Sequence, residues 1–336
     1  MNAYLDKFGG TLFGVAIGDT LGKPFEGWLR DQIRSEVSEI EDLLHSRKFE
    51  LSTFTDDTQL TLHTAEALIS SSGFNIHDTI REYIKWLDDP PIGPGMGCLS
   101  AIQKLKHGFS SREAASDSGG NGTAMRISPI GLLYCNDIKG LINAAQQCSL
   151  LTHTHPGATV SAIVIARAIA FLVNIDQCDA FPTHDFFQAL KDAISGSKFK
   201  EWDEMISILD KVYQNLGSSL YSGLIKFSQI GVKSPYFIEE YLGKAFVHPY
   251  AISTVACSLF IFLKNLESFE QCIFELSTAG GDSDTVGAIG GSLAGAYFGL
   301  KLIPPRLIDI IKEKKKIEDT SIRLHSTFER INNILL

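Results

Sequence analysis

No two of the six cysteines stand in C-x-x-C spacing, and no histidine cluster completes a zinc pattern with them. The six, at positions 98, 135, 148, 178, 257 and 272, lie mostly among apolar residues and are expected to be buried free thiols of a reducing compartment. A signal peptide is missing too: MNAYLDKFGG carries an early aspartate and no basic region leading into an apolar core, so a cytoplasmic location is expected. Positive charge is in deficit. Thirty Lys and Arg against thirty-nine Asp and Glu leave a net charge of −9, which argues against nucleic-acid or anionic-membrane binding through net charge. Lys312, Lys314, Lys315 and Lys316 form a local basic patch, read as a solvated helix face. Alternating strands with hairpin turns are scarce, and neither solenoid-period repeats nor low-complexity tracts occur. One stretch, 286–303, is nearly uncharged and of membrane length. It opens beside two aspartates and contains Lys301, which fits a buried central helix better than a membrane span.

What is present is helical periodicity. Segments 58–69, 158–173 and 251–263 read as buried or half-buried helices, and 186–194, 202–216, 269–277 and 304–313 as amphipathic ones. Glycines recur every four residues in two places: Gly10, Gly14, Gly18, Gly22 and Gly287, Gly291, Gly295, Gly299. Such spacing puts them on one stripe of a helix. Each helix-interior glycine costs roughly 1 kcal/mol relative to alanine, so both ladders predict helices that approach other backbone closely. Breaks rich in Pro or Gly fall at 88–97 and 117–122, neither long enough for a linker; the polar stretch around 174–202 is the one place where an insertion is conceivable. The expected architecture is all-α, one compact, orthogonally packed multi-helix domain over residues 1–336.

Two acidic turns adjoin the ladders. Thr55-Asp56-Asp57-Thr58 and Asp282-Ser283-Asp284-Thr285 each open an apolar helix. One carboxylate suffices for a cap; two exceed that need and crowd negative charge that a cation or a proton relieves. The second turn begins like an EF-hand, but Val286 at position five and Leu293 at position twelve reject a calmodulin-like loop. Carboxylate and hydroxyl oxygens suit Mg²⁺, Mn²⁺ or Ca²⁺, and four aspartates balance two divalent ions. Glu26 follows the first ladder in a Pro- and Gly-broken segment, placed to act as ligand, base or gate. The run 118–126, SGGNGTAMR, is neither a Walker A loop nor G-x-G-x-x-G, yet its consecutive N–H groups suit phosphate. Arg126 is read as touching an anion or, the favoured reading, pairing with a buried carboxylate. His153 and His155 are weak as ligands; an imidazole there could stack on a purine.

The ordered set — Gly18-Asp19 to Glu26, Thr55-Asp56-Asp57, Gly120-Asn121-Gly122 to Met125-Arg126, Thr152-His153 and Gly281 to Thr285 — closely resembles the ADP-ribosylglycohydrolase family over about residues 8–300. That resemblance implies an all-α fold with two Mg²⁺ or Mn²⁺ ions. It implies metal ligation by Thr55, Asp56, Asp57, Asp282, Asp284 and Thr285. It places Glu26 near metal and substrate, Ser118, Gly119, Gly120 and Asn121 along the diphosphate, and His153 at the adenosine end. Asp19 and Gly97 join the expected substrate-binding set, Gly97 on a looser match. Some relatives carry an aromatic residue where this chain has Gly119, which bears on pocket shape.

The implied reaction is hydrolysis of the glycosidic bond between ADP-ribose and an acceptor, with Glu26, Asp56 and Asp57 as candidate proton carriers. ADP-ribosyl-arginine on protein is the expected substrate. Serine-linked ADP-ribose, O-acetyl-ADP-ribose and ADP-ribosylated nucleic acid stay open, as do a silent binding module and an immunity protein blocking a cognate ADP-ribosyltransferase. A monomer without membrane attachment is expected.

Overall fold

The computed structural model describes residues 2–51, 53–177 and 180–334. Its framework is a pair of helices from opposite parts of the chain. Helix α1 (Ala3–Gly22) carries the first glycine ladder. Its partner from near the other end (Ser283–Phe298) carries the second. The ladders face each other: a Cβ on Gly18 would lie 1.9 Å from the Gly287 carbonyl oxygen, and one on Gly14 would lie 2.1 Å from that of Gly291. Only hydrogen atoms fit between these backbones, so the glycines' helix-propensity cost is offset by packing no larger residue permits. Both helices are almost wholly buried.

Around this pair stand further helices. The relevant ones are α2 (Arg30–Glu36), α3 (Asp56–Ser71), α4 (Met96–Lys106), α5 (Ile138–Leu150), α6 (Pro156–Val173), α7 (Ala251–Lys264) and α8 (Phe269–Ser277); Ser283–Phe298 is then α9. Among the described residues the only β pairing is four isolated bridges: Trp28 with Gly281, Val247 with Gly281, Gly120 with Tyr250, and Ser116 with His153. Each pins a site loop to another segment.

The expected helices at 58–69, 158–173, 251–263, 186–194, 202–216 and 269–277 are present, most with ends within a turn of the reading. The exception is 304–313. Its helix covers only Pro305–Asp309, and a longer polar helix, Lys314–Ile334, follows. The membrane-length stretch ends as a helix at Phe298, because Gly299 adopts φ +78° there. Among the described residues the helix that is long and apolar enough to cross a membrane is instead α6, and 83% of it is buried inside the molecule. Lys312, Lys314, Lys315 and Lys316 are exposed as read. Five cysteines are buried and free; Cys178 lies outside the described residues.

Candidate active site

Both acidic turns sit at helix N-termini that the fold brings together. Thr55 caps α3, its hydroxyl accepting from the Asp57 N–H at 3.3 Å. Asp282 precedes α9, whose first turn holds Asp284. The turns meet at Asp57: its Oδ2 accepts from the hydroxyls of Thr55 (2.9 Å) and, across the helix interface, Thr285 (3.4 Å). The other oxygen, Oδ1, is buried and has no hydrogen-bond partner in the protein. Buried carboxylate oxygens rarely lack a partner, so this one is available to a ligand.

Burial is the main cause that lifts every carboxyl here above its ordinary range. Asp56 rises to about 7, with Asp19 and Asp282 adding repulsion. Asp57 and Asp284 rise well above the usual value through burial and then mutual repulsion among the aspartates. Asp282 is raised as well, although Asn121 Nδ2 donates to it at 2.5 Å. Glu26, exposed beside the second turn, is raised by the desolvation its neighbours impose and then by Asp282. A site that penalises its own ionisation this way favours a cation.

The donor set is all oxygen, which fits a hard divalent ion. Among the described residues no three His, Cys, Asp or Glu side chains already converge as a ready ligand group. The Thr55 and Thr285 hydroxyls, both on Asp57, add two neutral oxygens to the carboxylates. With the unpartnered Asp57 oxygen, the residues fit the expected cations in chemistry.

Asp19 is fully buried, and its carboxylate accepts from the Thr55 N–H (3.0 Å), the Thr58 N–H (3.1 Å) and the Thr58 hydroxyl (2.6 Å). Its oxygens are thus engaged by protein donors, and it ties α1 to the first acidic turn. Burial raises it to about 6 despite those bonds.

Backbone links hold the remaining loops in place. The Gly27 N–H donates to the Gly281 carbonyl and the Gly281 N–H to the Trp28 carbonyl, both at 2.8 Å, which fixes Glu26 beside the second turn. Gly280 and Gly281 take φ of +86° and +75°, and a Cβ on Gly281 would lie 2.2 Å from the Val247 carbonyl. The segment 247–250 runs on to the Gly-Asn loop, where the Asn121 N–H donates to the Pro249 carbonyl (3.2 Å) and the Ala251 N–H to that of Gly119 (2.9 Å). Asn121 therefore spans the two loops, bonding Thr254 at 3.0 Å as well as Asp282. Ser118 braces the loop from within, its hydroxyl accepting from the Gly120 N–H at 3.1 Å.

Gly97 lies in the first turn of α4, not in the preceding break, because α4 begins at Met96. It meets His153: a Cβ there would stand 2.9 Å from Nε2. The α4 N-terminus also reaches the acidic turn, the Gly95 N–H lying 3.4 Å from Asp56. His153 is buried and held neutral, its pKa lowered to about 3 by burial and then by Arg126 and His155. His155 turns instead to cap α6, accepting from the Gly157 N–H at 3.0 Å.

Arg126 corrects the expected carboxylate pairing. Fully buried, it has no acidic partner within ion-pair distance among the described residues; it donates to the Gly122 carbonyl (2.5 Å), the Thr152 hydroxyl (2.6 Å) and Cys98 Sγ (3.2 Å), and lies over the Tyr83 ring. Tyr250 carried no signal in the sequence. Its ring occupies the space beside Gly119, where a Cβ would meet Cε2 at 2.6 Å. An aromatic side chain at 119 and Tyr250 as it stands are mutually exclusive.

The fold and site define an all-helical protein with a buried, oxygen-only acidic cluster flanked by a glycine-rich loop. A model of the ADP-ribosylglycohydrolase family matches residues 1–333, and the chain belongs to that family, whose enzymes hydrolyse ADP-ribose linkages. It is 28% identical to an uncharacterised protein of Archaeoglobus fulgidus, over 97% of this chain and 98% of that one. ADP-ribosylhydrolase ARH3 of Xenopus tropicalis is 25% identical over 98% of each chain. The ADP-ribosyl-[dinitrogen reductase] glycohydrolase of Rhodospirillum rubrum is 24% identical, over 89% of this chain and 88% of its own length. A solved ADP-ribosylglycohydrolase-related protein complex has the same fold, with TM-score 0.73 and 23% identity over 98% of this chain and all of that one.

Proposed function

We propose that the protein releases ADP-ribose from arginine side chains of a modified protein, with two Mg²⁺ or Mn²⁺ ions held by Thr55, Asp56, Asp57, Asp282, Asp284 and Thr285. The observation that carries this reading is Asp57, which accepts a hydroxyl from each acidic turn and keeps one buried oxygen without a partner. When bound, the ions would orient ribose hydroxyls and acidify a water. The protein's own contributions follow from position. Asn121 holds Asp282 and the Gly-Asn loop in one register, aligning the Ser118–Asn121 backbone for the diphosphate. Glu26, fixed at the mouth with a raised pKa, is the leading carrier of the proton between water and leaving group; Asp56 and Asp57 are its alternatives.

Two points support a protein-bound arginine as the acceptor. The Rhodospirillum relative is named for an ADP-ribosylated protein substrate. The mouth itself is acidic, with Glu26 beside Asp282, which favours a cationic guanidinium over a neutral leaving group. Incubation with arginine-linked and serine-linked ADP-ribosyl peptides, in Mg²⁺, Mn²⁺ or EDTA, tests the reading by the ADP-ribose released. Metal-dependent release from the arginine peptide is expected. Release only from the serine peptide would overturn the acceptor, and release in EDTA the metals.

A further inference from the structure

Arg126 is the one fully buried guanidinium among the described residues, and nothing in the acidic site uses it. Its hydrogen bonds all go to neutral acceptors: Gly122 O, Cys98 Sγ, Cys148 O and Thr152 Oγ1. Burial keeps the Cys98 thiol protonated, its pKa pushed up to about 11, so no counter-charge arises there. A buried cation satisfied only by neutral groups is costly, which points to a task beyond stability.

That task is legible at Thr152. Its hydroxyl oxygen has two partners among the described residues, Arg126 Nη2 at 2.6 Å and His153 Nδ1 at 2.8 Å. Arg126 can only donate, so the Thr152 oxygen accepts from it. Thr152 is fully buried and its hydroxyl meets no other acceptor among the described residues, so its own proton, which would otherwise go unpaired, lies toward His153 Nδ1, making Nδ1 the acceptor of the neutral ring. The ring proton is left on Nε2. On the Nε2 side the side chains have been stripped away: added Cβ atoms on Gly97, Gly122 and Gly120 would lie 2.9, 3.7 and 3.9 Å from it. The opposite tautomer would turn a lone pair toward an anionic ligand, which repels it.

We propose that Arg126 is a positioning residue: acting through the Thr152 hydroxyl, it fixes His153 as the Nε2–H tautomer, so that one hydrogen-bond donor faces an oxygen of the bound ADP-ribosyl group. Arg126 never touches the ligand. The proposal rests on the preceding reading of the pocket for its ligand, but not for the tautomer.

Thr152→Val removes the relay while keeping the side-chain shape, and Thr152→Ser restores the hydroxyl. Imidazole ¹⁵N spectra of the ligand-free protein, with the His153 signal identified by its loss in His153→Gln, read the tautomer directly. Wild type and Thr152→Ser should show Nε2–H alone, and Thr152→Val a mixture or Nδ1–H. Calorimetry with ADP-ribose should give binding about tenfold weaker in Thr152→Val than in wild type or Thr152→Ser, the loss of roughly one charge-oriented hydrogen bond. In turnover the change should fall on KM, with kcat within about twofold. A wild-type Nδ1–H signal, or a Thr152→Val protein with unchanged tautomer and affinity, overturns the proposal. So does a Thr152→Val protein that only melts earlier, since that marks a structural role. If wild type binds no ADP-ribose, the pocket reading fails, while the ¹⁵N spectra still decide the relay.

Discussion

Two regions of the site bury charge in opposite ways. Around Asp57, carboxylates crowd together with no cation, and one oxygen lacks any partner. Around Arg126, a guanidinium is enclosed by thiols, carbonyls, a hydroxyl and a tyrosine ring, with no anion. The acidic region is strained by mutual repulsion and gains from a ligand that brings positive charge. The basic region meets only neutral acceptors, leaves Arg126 Nε without a partner, and passes its orientation to His153. The contrast assigns chemistry to the first region and alignment to the second.

The sharpest way to break this comparison is at the acidic end. Asp57→Ala should lower kcat by roughly 10³-fold or more while far-ultraviolet circular dichroism stays unchanged. Activity within tenfold of wild type would remove the acidic turns from the chemistry. The scaffold gives the next largest effect. Gly18→Ala drives a Cβ to 1.9 Å from the Gly287 carbonyl, and that backbone cannot yield cheaply. A loss of about 3 kcal/mol in urea-unfolding stability is expected. Gly27→Ala makes a useful control, since its added Cβ meets nothing and only its φ of +79° resists.

Response to pH separates the regions further. The Asp56 carboxyl rises to about 7 in the folded protein, whereas the unfolded chain titrates near the ordinary carboxylate value. Between those values the folded state binds more protons at this carboxyl, so its contribution to metal-free stability falls as pH rises from about 4 to about 7. Added Mg²⁺ or Mn²⁺ should raise the melting temperature increasingly over that same window. A metal effect independent of pH would mean that the carboxylates do not hold the ion. His153, lowered to about 3 in the folded protein against about 6.5 in the unfolded chain, works the other way: the unfolded chain binds its proton first, so its contribution to stability rises as pH rises from about 3 to about 6.5. The smallest effect belongs to the Gly-Asn loop. Gly119→Tyr should weaken ADP-ribose binding about tenfold by displacing Tyr250, and Tyr250→Ala in the same chain should recover most of the loss. No recovery would show that the two positions do not share one space.

Much of the acidic end was legible because its signals are local. A threonine and two aspartates at a helix start are read within four residues, and glycine spacing announces close backbone contact. The mutual docking of the two ladders is what the structure adds. The basic end was opaque for the converse reason. Arg126 is satisfied by the carbonyls of Gly122 and Cys148, and backbone acceptors have no letter in the sequence. At Asp19 a motif position does not say which way a carboxylate turns; here it turns to Thr55 and Thr58. Tyr250 sits in no acidic or glycine motif, and only the space left by Gly119 exposes its part. The helix Lys314–Ile334 went unread because its charged residues outnumber its apolar ones in every turn near its start.

The meeting of α1 with α9 has a consequence in time. Asp57 and Thr285, which share one hydrogen bond, are separated by 228 residues. At about 5–20 residues per second of synthesis, the first acidic turn is made on the order of ten to fifty seconds before the second. Throughout that interval α1 exposes a glycine stripe with no partner. The nascent chain therefore carries half of the acidic cluster until α9 emerges to complete it.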